Sequence, residues 1–293
     1  MHGIFSERMA RKMLLIGTHI SAAGGVARAF ARADALGCEA MQIFTRNQLQ
    51  WQSRPVSLEE ARGFYDAWKR SEVKCVVSHA SYLINIASSD AEVLEKSRRA
   101  LREETERCYQ LGINDIVLHP GFAKDGSQEN ALATISESLR LLFEDTQGYK
   151  VRILLETMAG QGSALGGDLS HFTFIGDMLH WNRRLAFCVD TCHAFAAGYD
   201  MRSPDSYERF ISLIDKHIGT DNVYCWHVND CKSAKGSRLD RHAHLGEGQI
   251  GHQAFSLLMN DDRFDGVPAI LETPKDGVGD EGNLAFLRKV RGQ

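Results

Sequence analysis

The sequence predicts a single-domain α/β protein built as a closed (β/α)8 barrel. Three observations predict this fold: eight short runs of apolar or β-branched residues, amphipathic patterns between them, and the absence of any linker, low-complexity tract or internal repeat. Strands that alternate with helices pair in parallel through right-handed crossovers. About 250 residues is the usual length of such a TIM barrel. A doubly wound open sheet is the alternative that the same pattern allows.

The predicted strands and helices alternate along the whole chain. The strands are expected at 14–18, 40–44, 74–78, 115–118, 151–155, 185–189, 222–226 and 268–271. Helical patterns, in which apolar residues recur every three or four positions, lie between them, for example at 58–70 and 91–111. Ser57 and the segment 88–90 supply N-cap residues for these two helices. Helix ends are indicated by Gly37, Gly112 and Gly148.

Composition excludes several classes of protein. The 293 residues are 43% hydrophobic and 25% charged, which is typical of a globular protein and not of a disordered or collagen-like one. A formal net charge of −4 excludes a strongly basic nucleic-acid binder, although it allows a local positive patch. Seven scattered cysteines, an odd number, favour reduced thiols in an intracellular protein over a disulfide framework.

The N-terminal residues and the hydropathy pattern also bear on where the protein is located in the cell. The sequence contains no stretch of the ~18 apolar residues that a membrane helix needs. Residues 1–12 lack the apolar centre of a secretory signal and include Glu7. We therefore expect a disordered N-terminal extension at 1–12, a barrel domain at 13–293, and a cytoplasmic or otherwise intracellular protein that is not secreted.

Seven of the eight predicted strands are followed by an imidazole or a carboxylate. These residues are His19, His79, His119, Glu156, Asp190 (with His193 three positions later), His227 and Glu272. In a parallel barrel the carboxyl ends of the strands meet at one face, where the active sites of this fold lie. Carboxylates packed together repel one another unless a cation lies between them. Imidazole nitrogen and carboxylate oxygen suit zinc first and manganese or iron next.

Other polar residues carry less specific signals. Asp240 and His242 lie two positions apart in a loop, so both side chains could reach one metal ion if the segment is extended. A single histidine at a strand end is more often a hydrogen-bonded core residue, and only the agreement of seven strands favours a metal centre. Arg98, Arg99 and Arg102 form a cluster on the 91–111 helix, which also carries Glu95, Glu103 and Glu104, and this face is expected to be solvated. His171 is expected on the surface.

The strand-end residues are embedded in segments that resemble the endonuclease IV family, the apurinic/apyrimidinic endonucleases of base-excision repair. The likeness runs from about Met13 to the C-terminus. The segments that carry it are HASYLINIAS (79–88), LHPG (118–121), LLETMAGQGSALG (154–166), VDTCHAFAAGYD (189–200), HVNDCK (227–232), GSRLDRHAHLGEGQIG (236–251) and LETP (271–274).

This resemblance implies a TIM barrel with three zinc ions per chain, with Mn²⁺ or Fe²⁺ possible at one site. The first metal would be held by His79, His119 and Glu156. The second would be held by Glu156, Asp190, His227 and Glu272, so that Glu156 bridges two ions. The third would be held by His193, Asp240 and His242. All nine of these residues are present.

The resemblance also implies a reaction and a substrate. The family hydrolyses double-stranded DNA on the 5′ side of an abasic site and leaves a 3′-hydroxyl and a 5′-deoxyribose phosphate. Glu272 and Glu156 are the expected catalytic residues, and Glu272 is expected to orient or deprotonate the attacking water. DNA with abasic or 3′-blocked lesions is the expected partner, and the protein is expected to be a monomer without a membrane partner.

DNA contacts are expected from two loops beside the metal centre. Asn47, Gln48, Leu49 and Trp51 match a DNA-facing loop of the family, and Tyr82 and Leu83 match residues that push into the gap in the duplex. The chain departs from the family at Leu49, where a basic residue is common.

Xylose-isomerase-like sugar isomerases, which share the barrel and a similar ligand ring, are the competing interpretation. A non-enzymatic DNA-binding module is a further alternative. The third-metal residues and the DNA-facing loops favour phosphodiester hydrolysis over both.

Overall fold

The computed structural model describes residues 13–124 and 127–292, so the predicted extension at 1–12 lies outside the described residues. Eight parallel strands form a closed barrel in the order β1-β10-β7-β6-β5-β4-β3-β2. The barrel strands are β1 (Leu15–His19), β2 (Ala40–Ile43), β3 (Cys75–His79), β4 (Asp115–Leu118), β5 (Arg152–Glu156), β6 (Leu185–Asp190), β7 (Val223–His227) and β10 (Pro268–Leu271). The predicted TIM barrel is confirmed, and the open-sheet alternative is wrong because β1 pairs with β10 and closes the sheet.

Helices follow the strands around the outside of the barrel. They are α1 (Arg28–Ala35), α2 (Leu58–Arg70), α3 (Ala91–Leu111), α4 (Gln128–Asp145), α5 (Ser170–Met178), α6 (Thr191–Ala197), α7 (Pro204–Ile218), α8 (His252–Met259) and α9 (Gly279–Val290). Within the described residues, no helix has the length and the apolar character that crossing a membrane requires.

The ends of α2 and α3 follow the predicted signals. The Ser57 side chain accepts a hydrogen bond from the Glu60 backbone N–H, and Asp90 does the same for Glu92 at the start of α3. Gly112 ends α3 with a φ of 75°, a left-handed conformation that favours glycine. The predicted bounds of these two helices are therefore confirmed.

Five of the eight strands end one residue later than predicted, and this shift places the polar residue inside the strand. Glu156 pairs with Cys188, and Asp190 pairs with His227, as regular members of the parallel ladder. His79, Glu156, Asp190 and His227 are thus held by strand backbone rather than by loops. A short antiparallel pair, β8 (Asp230–Cys231) and β9 (His242–Ala243), adds a second support beside the barrel.

The interior of the barrel is filled with small and branched side chains. They are Ala40, Val77, Val117, Leu154, Ala186, Cys188, Cys225 and Ile270. Close strand packing requires glycine at position 17, because a Cβ there would lie 1.8 Å from the Ala40 carbonyl oxygen. At the amino end of the strands, Arg152 forms two hydrogen bonds with Asp115, at 2.6 and 2.8 Å, and stacks on Tyr224. This pair fills the end of the barrel opposite the predicted site.

Candidate metal centre

Glu156 lies at the centre of the polar cluster at the carboxyl ends of the strands. It ends β5 and is fully buried. Its Oε2 atom lies 3.4 Å from His79 Nε2 and 3.2 Å from His119 Nε2. Its Oε1 atom lies 3.2 Å from His193 Nδ1 and 3.0 Å from His227 Nδ1. One carboxylate therefore faces imidazoles from four different strands or helices.

A second group of carboxylates surrounds His227 Nδ1. Besides Glu156, this nitrogen lies 3.3 Å from Glu272 Oε2 and 3.9 Å from Asp190 Oδ2. One ligand atom from each of the four residues lies within 4.8 Å of the others, and the same holds for His79, His119 and Glu156. Both sets match those expected for the first and second metals, with Glu156 in common.

The loop residues Asp240 and His242 join the cluster beside His193, as the resemblance implies. Asp240 Oδ2 lies 3.2 Å from His193 Nε2, and Asp240 Oδ1 lies 3.2 Å from His242 Nε2. Asp190 is also close, at 3.8 Å from His242 Nε2. The sequence places Asp190 in the second set only, whereas this geometry brings it to the edge of the third as well.

Three of the imidazoles are oriented by a hydrogen bond from Nδ1 to a backbone carbonyl. His79 Nδ1 donates to the Ala80 carbonyl at 2.7 Å, and His242 Nδ1 donates to the Glu272 carbonyl at 3.1 Å. His193 Nδ1 lies 2.8 Å from the Thr157 carbonyl, so this histidine also presents Nε2. An N–H fixed in this way leaves the other nitrogen with its lone pair directed inward, as a metal ligand requires.

Buried polar atoms without hydrogen-bond partners provide the test of whether a cation fits. Within the described residues these atoms include Glu156 Oε2, His193 Nε2 and His242 Nε2. Each lies near an atom of opposite polarity, yet none is aligned for a hydrogen bond. Leaving such atoms unpaired in a buried site costs ~1–3 kcal/mol each. Glu156 Oε2 lies beside His79 and His119, whereas the two Nε2 atoms lie beside Asp240. Unpaired imidazole nitrogen and carboxylate oxygen grouped in this way are ligand atoms that fit zinc.

The electrostatics of the cluster keep the Glu156 carboxylate ionised. Burial alone would raise the pKa of Glu156, but the positive potential of His227 and His119 outweighs this effect and holds the pKa well below its usual range. Burial also lowers the pKa of His242, but Asp240 outweighs it and raises the pKa to about 9. Because a metal competes with these protons for the imidazole nitrogens, zinc binding should release protons.

Sequence reasoning missed two buried amides that contact the cluster. Asn229 donates from Nδ2 to Asp190 Oδ2 at 2.7 Å and accepts from the Glu272 backbone N–H at 2.8 Å. Gln42, on β2, lies 2.8 Å from His227 Nε2 and 2.7 Å from Glu272 Oε1. The available signal was the presence of polar amides inside or beside buried strands, since such groups need partners.

Asp230 organises the loop that follows β9. Its carboxylate is fully buried and accepts hydrogen bonds from five backbone N–H groups. The donors are Cys231 and Ile250 to Oδ1, and Gly246, Gly248 and Gly251 to Oδ2, at 2.8–3.4 Å. Gly248 is required here because a Cβ would lie 2.3 Å from the carboxylate. The loop beside Asp240 and His242 is therefore wrapped around one side chain.

The DNA-facing candidates lie on two loops that contact each other. Ser81 donates to the Gln48 carbonyl at 2.6 Å, which joins the loop after β2 to the loop after β3. Leu49 is 71% exposed and Tyr82 is 53% exposed, and the Tyr82 ring lies 5.3 Å from that of His79. Tyr82 thus projects into solvent beside the candidate metal centre, and Leu49 projects into solvent from the adjoining loop.

The other DNA-facing candidates are placed differently. Asn47 is exposed, Gln48 and Leu83 are half-buried, and Trp51 packs partly against the hydrophobic core. The loop also borders a cleft of about 750 Å³ that reaches His19. The structure therefore leaves solvent-filled space next to the metal centre on the side of this loop.

The loop at 45–54 is anchored by α3. Arg99 and Arg102 are exposed as expected, but the expectation of a solvated face is wrong for Glu104. Glu104 is buried and accepts hydrogen bonds at 2.7 Å from the Thr45 and Ser78 hydroxyls. Arg107 is also buried and donates to the Thr45 and Arg54 carbonyls. Charged residues tolerate burial when they satisfy a loop backbone in this way.

The expected surface position of His171 is likewise wrong. His171 is buried, and its Nδ1 atom accepts a hydrogen bond from the Gly166 backbone N–H at 3.0 Å. Helical periodicity does not reveal a contact of this kind, because the partner belongs to the preceding loop.

Comparison with known proteins adds independent findings. The model of the family of xylose isomerase-like TIM barrels matches residues 30–290. A Chloroflexus aurantiacus protein named probable endonuclease 4 is 45% identical over 276 residues, which cover 94% of this chain and 97% of that protein. A Geobacter sulfurreducens protein of the same name is 41% identical, with 94% and 93% covered.

Solved structures give the same result for the fold. Endonuclease IV from Thermus thermophilus superimposes with a TM-score of 0.83 at 33% identity, covering 94% of this chain and 98% of that one. A D-tagatose 3-epimerase-like protein has a TM-score of 0.71 at 18% identity, with 94% and 97% covered. The second likeness concerns the barrel alone.

Proposed function

The chain belongs to the endonuclease IV family of xylose isomerase-like TIM barrels, and from this premise we propose that it is a zinc-dependent DNA-repair endonuclease. It hydrolyses the phosphodiester bond 5′ to an abasic site and leaves a 3′-hydroxyl and a 5′-deoxyribose phosphate. The observation that carries this proposal is the Glu156 carboxylate facing four imidazoles, one of which, His193, also belongs to a second group with Asp240 and His242.

Three zinc ions would be held by nine residues in this arrangement. The first set is His79, His119 and Glu156; the second is Glu156, Asp190, His227 and Glu272; the third is His193, Asp240 and His242. Because the nine include four carboxylates, three divalent ions leave the centre with a local positive charge. A phosphodiester is attracted to such a site even though the chain has a formal charge of −4.

Zinc at such a centre supplies Lewis-acid stabilisation of the charge that develops on the phosphate oxygens. The protein residues orient the reacting groups around it. Glu272 is partly open to the cleft, and its Oε1 atom is held by Gln42. Burial would raise the pKa of Glu272, but the potential of His227 outweighs it and keeps the carboxyl ionised at neutral pH. Its Oε2 atom is therefore available to accept a proton from an attacking water molecule.

The two apolar side chains beside the centre are suited to an abasic lesion. An abasic nucleotide costs little to extrude from the duplex, because no base pair is lost. Leu49 and Tyr82 project beside the metal centre and could occupy the gap that the missing base leaves. This arrangement favours lesion recognition by apolar insertion over recognition of base sequence.

The proposal is tested by cleavage of a duplex that carries one abasic analogue, together with elemental analysis of the purified protein. We expect about three zinc ions per chain, incision only on the 5′ side of the lesion, and loss of incision after chelation that zinc restores. Incision of an undamaged duplex at the same rate would contradict lesion specificity. Isomerisation of sugars by a protein that holds one or two metals and does not cut DNA would identify a sugar isomerase instead.

Leu49 provides a test of the DNA-facing loop. We expect Leu49→Arg to bind abasic DNA more tightly at low salt and to increase the slope of log affinity against log salt by up to about one, because each phosphate contact contributes about 0.9. Leu49→Ala should weaken binding without changing that slope, since it removes packing and no charge. Fluorescence anisotropy across a salt series measures both quantities.

The matched control for this test is Leu213→Arg, because Leu213 is an exposed leucine near the end of α7. It adds the same charge to the outside of the barrel, so its salt slope should equal that of the wild type. If Leu49→Arg and Leu49→Ala both bind as the wild type does, the loop lies away from the DNA.

A further inference from the structure

We propose that Gln42 is a positioning residue of the metal centre, whose side-chain amide sets which nitrogen of His227 and which oxygen of Glu272 face the cation. This inference rests on the proposed function and adds a residue outside the nine expected ligands. Gln42 lies on β2, the one barrel strand that the sequence leaves without an imidazole or a carboxylate at its carboxyl end. Its side chain therefore occupies the remaining position in the circle of polar residues at the carboxyl ends of the strands.

The contacts of Gln42 use every polar atom of its amide. Oε1 accepts from His227 Nε2 at 2.8 Å. Nε2 lies 2.7 Å from Glu272 Oε1 and 3.0 Å from His19 Nδ1, so its two N–H groups have two acceptors. The residue is fully buried. A fully satisfied amide in such a site holds one orientation.

The opposite orientation of the amide is excluded by charge. Exchanging Oε1 and Nε2 would direct the Gln42 carbonyl at the Glu272 carboxylate and would direct its N–H groups at His227 Nε2. Two acceptors at 2.7 Å repel each other, and a carboxylate has no proton to donate when it is ionised. The orientation with the carbonyl toward His227 is therefore the stable one.

This orientation determines the tautomer of His227. When a cation displaces one proton from the His227 ring, Nε2 keeps the proton that is hydrogen-bonded to Gln42, and Nδ1 is left with the lone pair. Nδ1 is the atom that faces Glu156 at 3.0 Å and Glu272 at 3.3 Å. His227 thus presents Nδ1 to the second metal, whereas His79 and His242 present Nε2.

The same amide also determines the orientation of Glu272. Its Oε1 atom is occupied by the Gln42 N–H, so Oε2 is left to face the cation and the cleft. Residues that orient metal ligands typically change metal affinity or activity by about tenfold to a hundredfold when they are replaced. Gln42 contacts two ligands of the same ion, and both of its contacts would be lost together.

Gln42→Met tests the proposal, since methionine has nearly the same shape but cannot form the amide's hydrogen bonds with His227, Glu272 and His19. We expect zinc transfer from the loaded protein to a chromophoric chelator to become about tenfold to a hundredfold faster for one of the three ions. We also expect the ¹⁵N resonances of His227 in the loaded protein to lose the pattern of a single Nε2-protonated tautomer. In steady-state cleavage kcat should fall while KM changes little, because Gln42 contacts His227 and Glu272 rather than the DNA.

Gln42→Glu separates the two contacts of the amide. It keeps an acceptor for His227 but removes the donor to Glu272 and places two carboxylates side by side. We expect the His227 tautomer to be retained while kcat remains low. If Gln42→Met does not fold, this variant still tests the proposal through the His227 resonances: loss of the Nε2-protonated pattern while the acceptor is kept would show that the position-42 acceptor does not set the tautomer.

Gln110→Met is the control, because Gln110 is exposed near the end of α3 and lies outside the cluster. Thermal unfolding of all variants checks that the fold is intact. If the wild type holds three ions and Gln42→Met releases them at the wild-type rate with unchanged His227 resonances, the positioning role is wrong and the proposed function stands. If the wild type itself holds no zinc, both proposals are overturned.

Discussion

Replacing Glu272 with glutamine should slow cleavage of an abasic duplex by at least about a thousandfold, which corresponds to ~4 kcal/mol in activation free energy. The amide keeps the shape of the side chain but cannot accept the proton of the attacking water. In the wild type the Gln42 N–H donates to the charged Glu272 Oε1 at 2.7 Å. In the variant the same N–H faces a neutral amide. Single-turnover cleavage with excess protein measures the chemical step, and anisotropy measures binding, which should remain within a few-fold of the wild type.

Glu72→Gln makes the same chemical change at an exposed position before β3 and should cleave as the wild type does. Zinc content must be measured for both variants, because loss of a metal would also reduce the rate. If Glu272→Gln retains three zinc ions and cleaves within about tenfold of the wild type, a barrier change of ~1.4 kcal/mol, then another group activates the water.

Replacing Asp230 with asparagine should reduce the free energy of unfolding by about 3 to 5 kcal/mol, because a buried charge that satisfies several donors is lost. Asparagine offers one acceptor oxygen, and its NH2 group would face backbone N–H donors. If the asparagine oxygen takes the place of Asp230 Oδ1, its NH2 group replaces Oδ2. The N–H groups of Gly246, Gly248 and Gly251 then lose their acceptor. A decrease in Tm of about 10 °C is expected for a chain of this size.

Asp262→Asn is the matched control, because Asp262 is exposed beyond α8 and its replacement should leave Tm nearly unchanged. Gly248→Ala tests the same contact from the loop side and should also lower Tm, since the alanine Cβ would lie 2.3 Å from Asp230 Oδ1. A wild-type Tm for both Asp230→Asn and Gly248→Ala would mean that the loop at 244–251 is held by other contacts.

Much of the fold and many of the site positions could be predicted from the sequence because both depend on local patterns. Apolar runs locate strands, and a polar residue at the end of a buried run indicates the open face of the barrel. His79, His119 and Glu156 follow this rule directly. Asp240 and His242 do not, since their loop position gives only a weak signal, and their place beside His193 depends on how β9 pairs with β8.

The remaining contacts could not be predicted because they depend on neighbours that are distant in sequence. Gln42 reaches His227 across 185 positions, and whether an amide in a strand faces the centre depends on the register of the closed barrel. Glu104 has the composition of a solvated helical face, yet it lies beneath the loop that contains Thr45. Periodicity identifies the face of a helix but not the loop that will cover it.

The two ends of the barrel differ in packing: the amino end is filled, whereas the candidate metal ligands lie at the carboxyl end. This difference affects how a metal ion could enter the protein. The apolar side chains beneath Glu156 and the Arg152–Asp115 pair at the far end fill the interior independently of any cation. The scaffold should therefore stay folded when it is stripped, and ions should enter and leave through the loop face alone. If zinc occupies the proposed centre, ions in solution would reload emptied molecules without refolding, so that the active fraction would follow the zinc concentration.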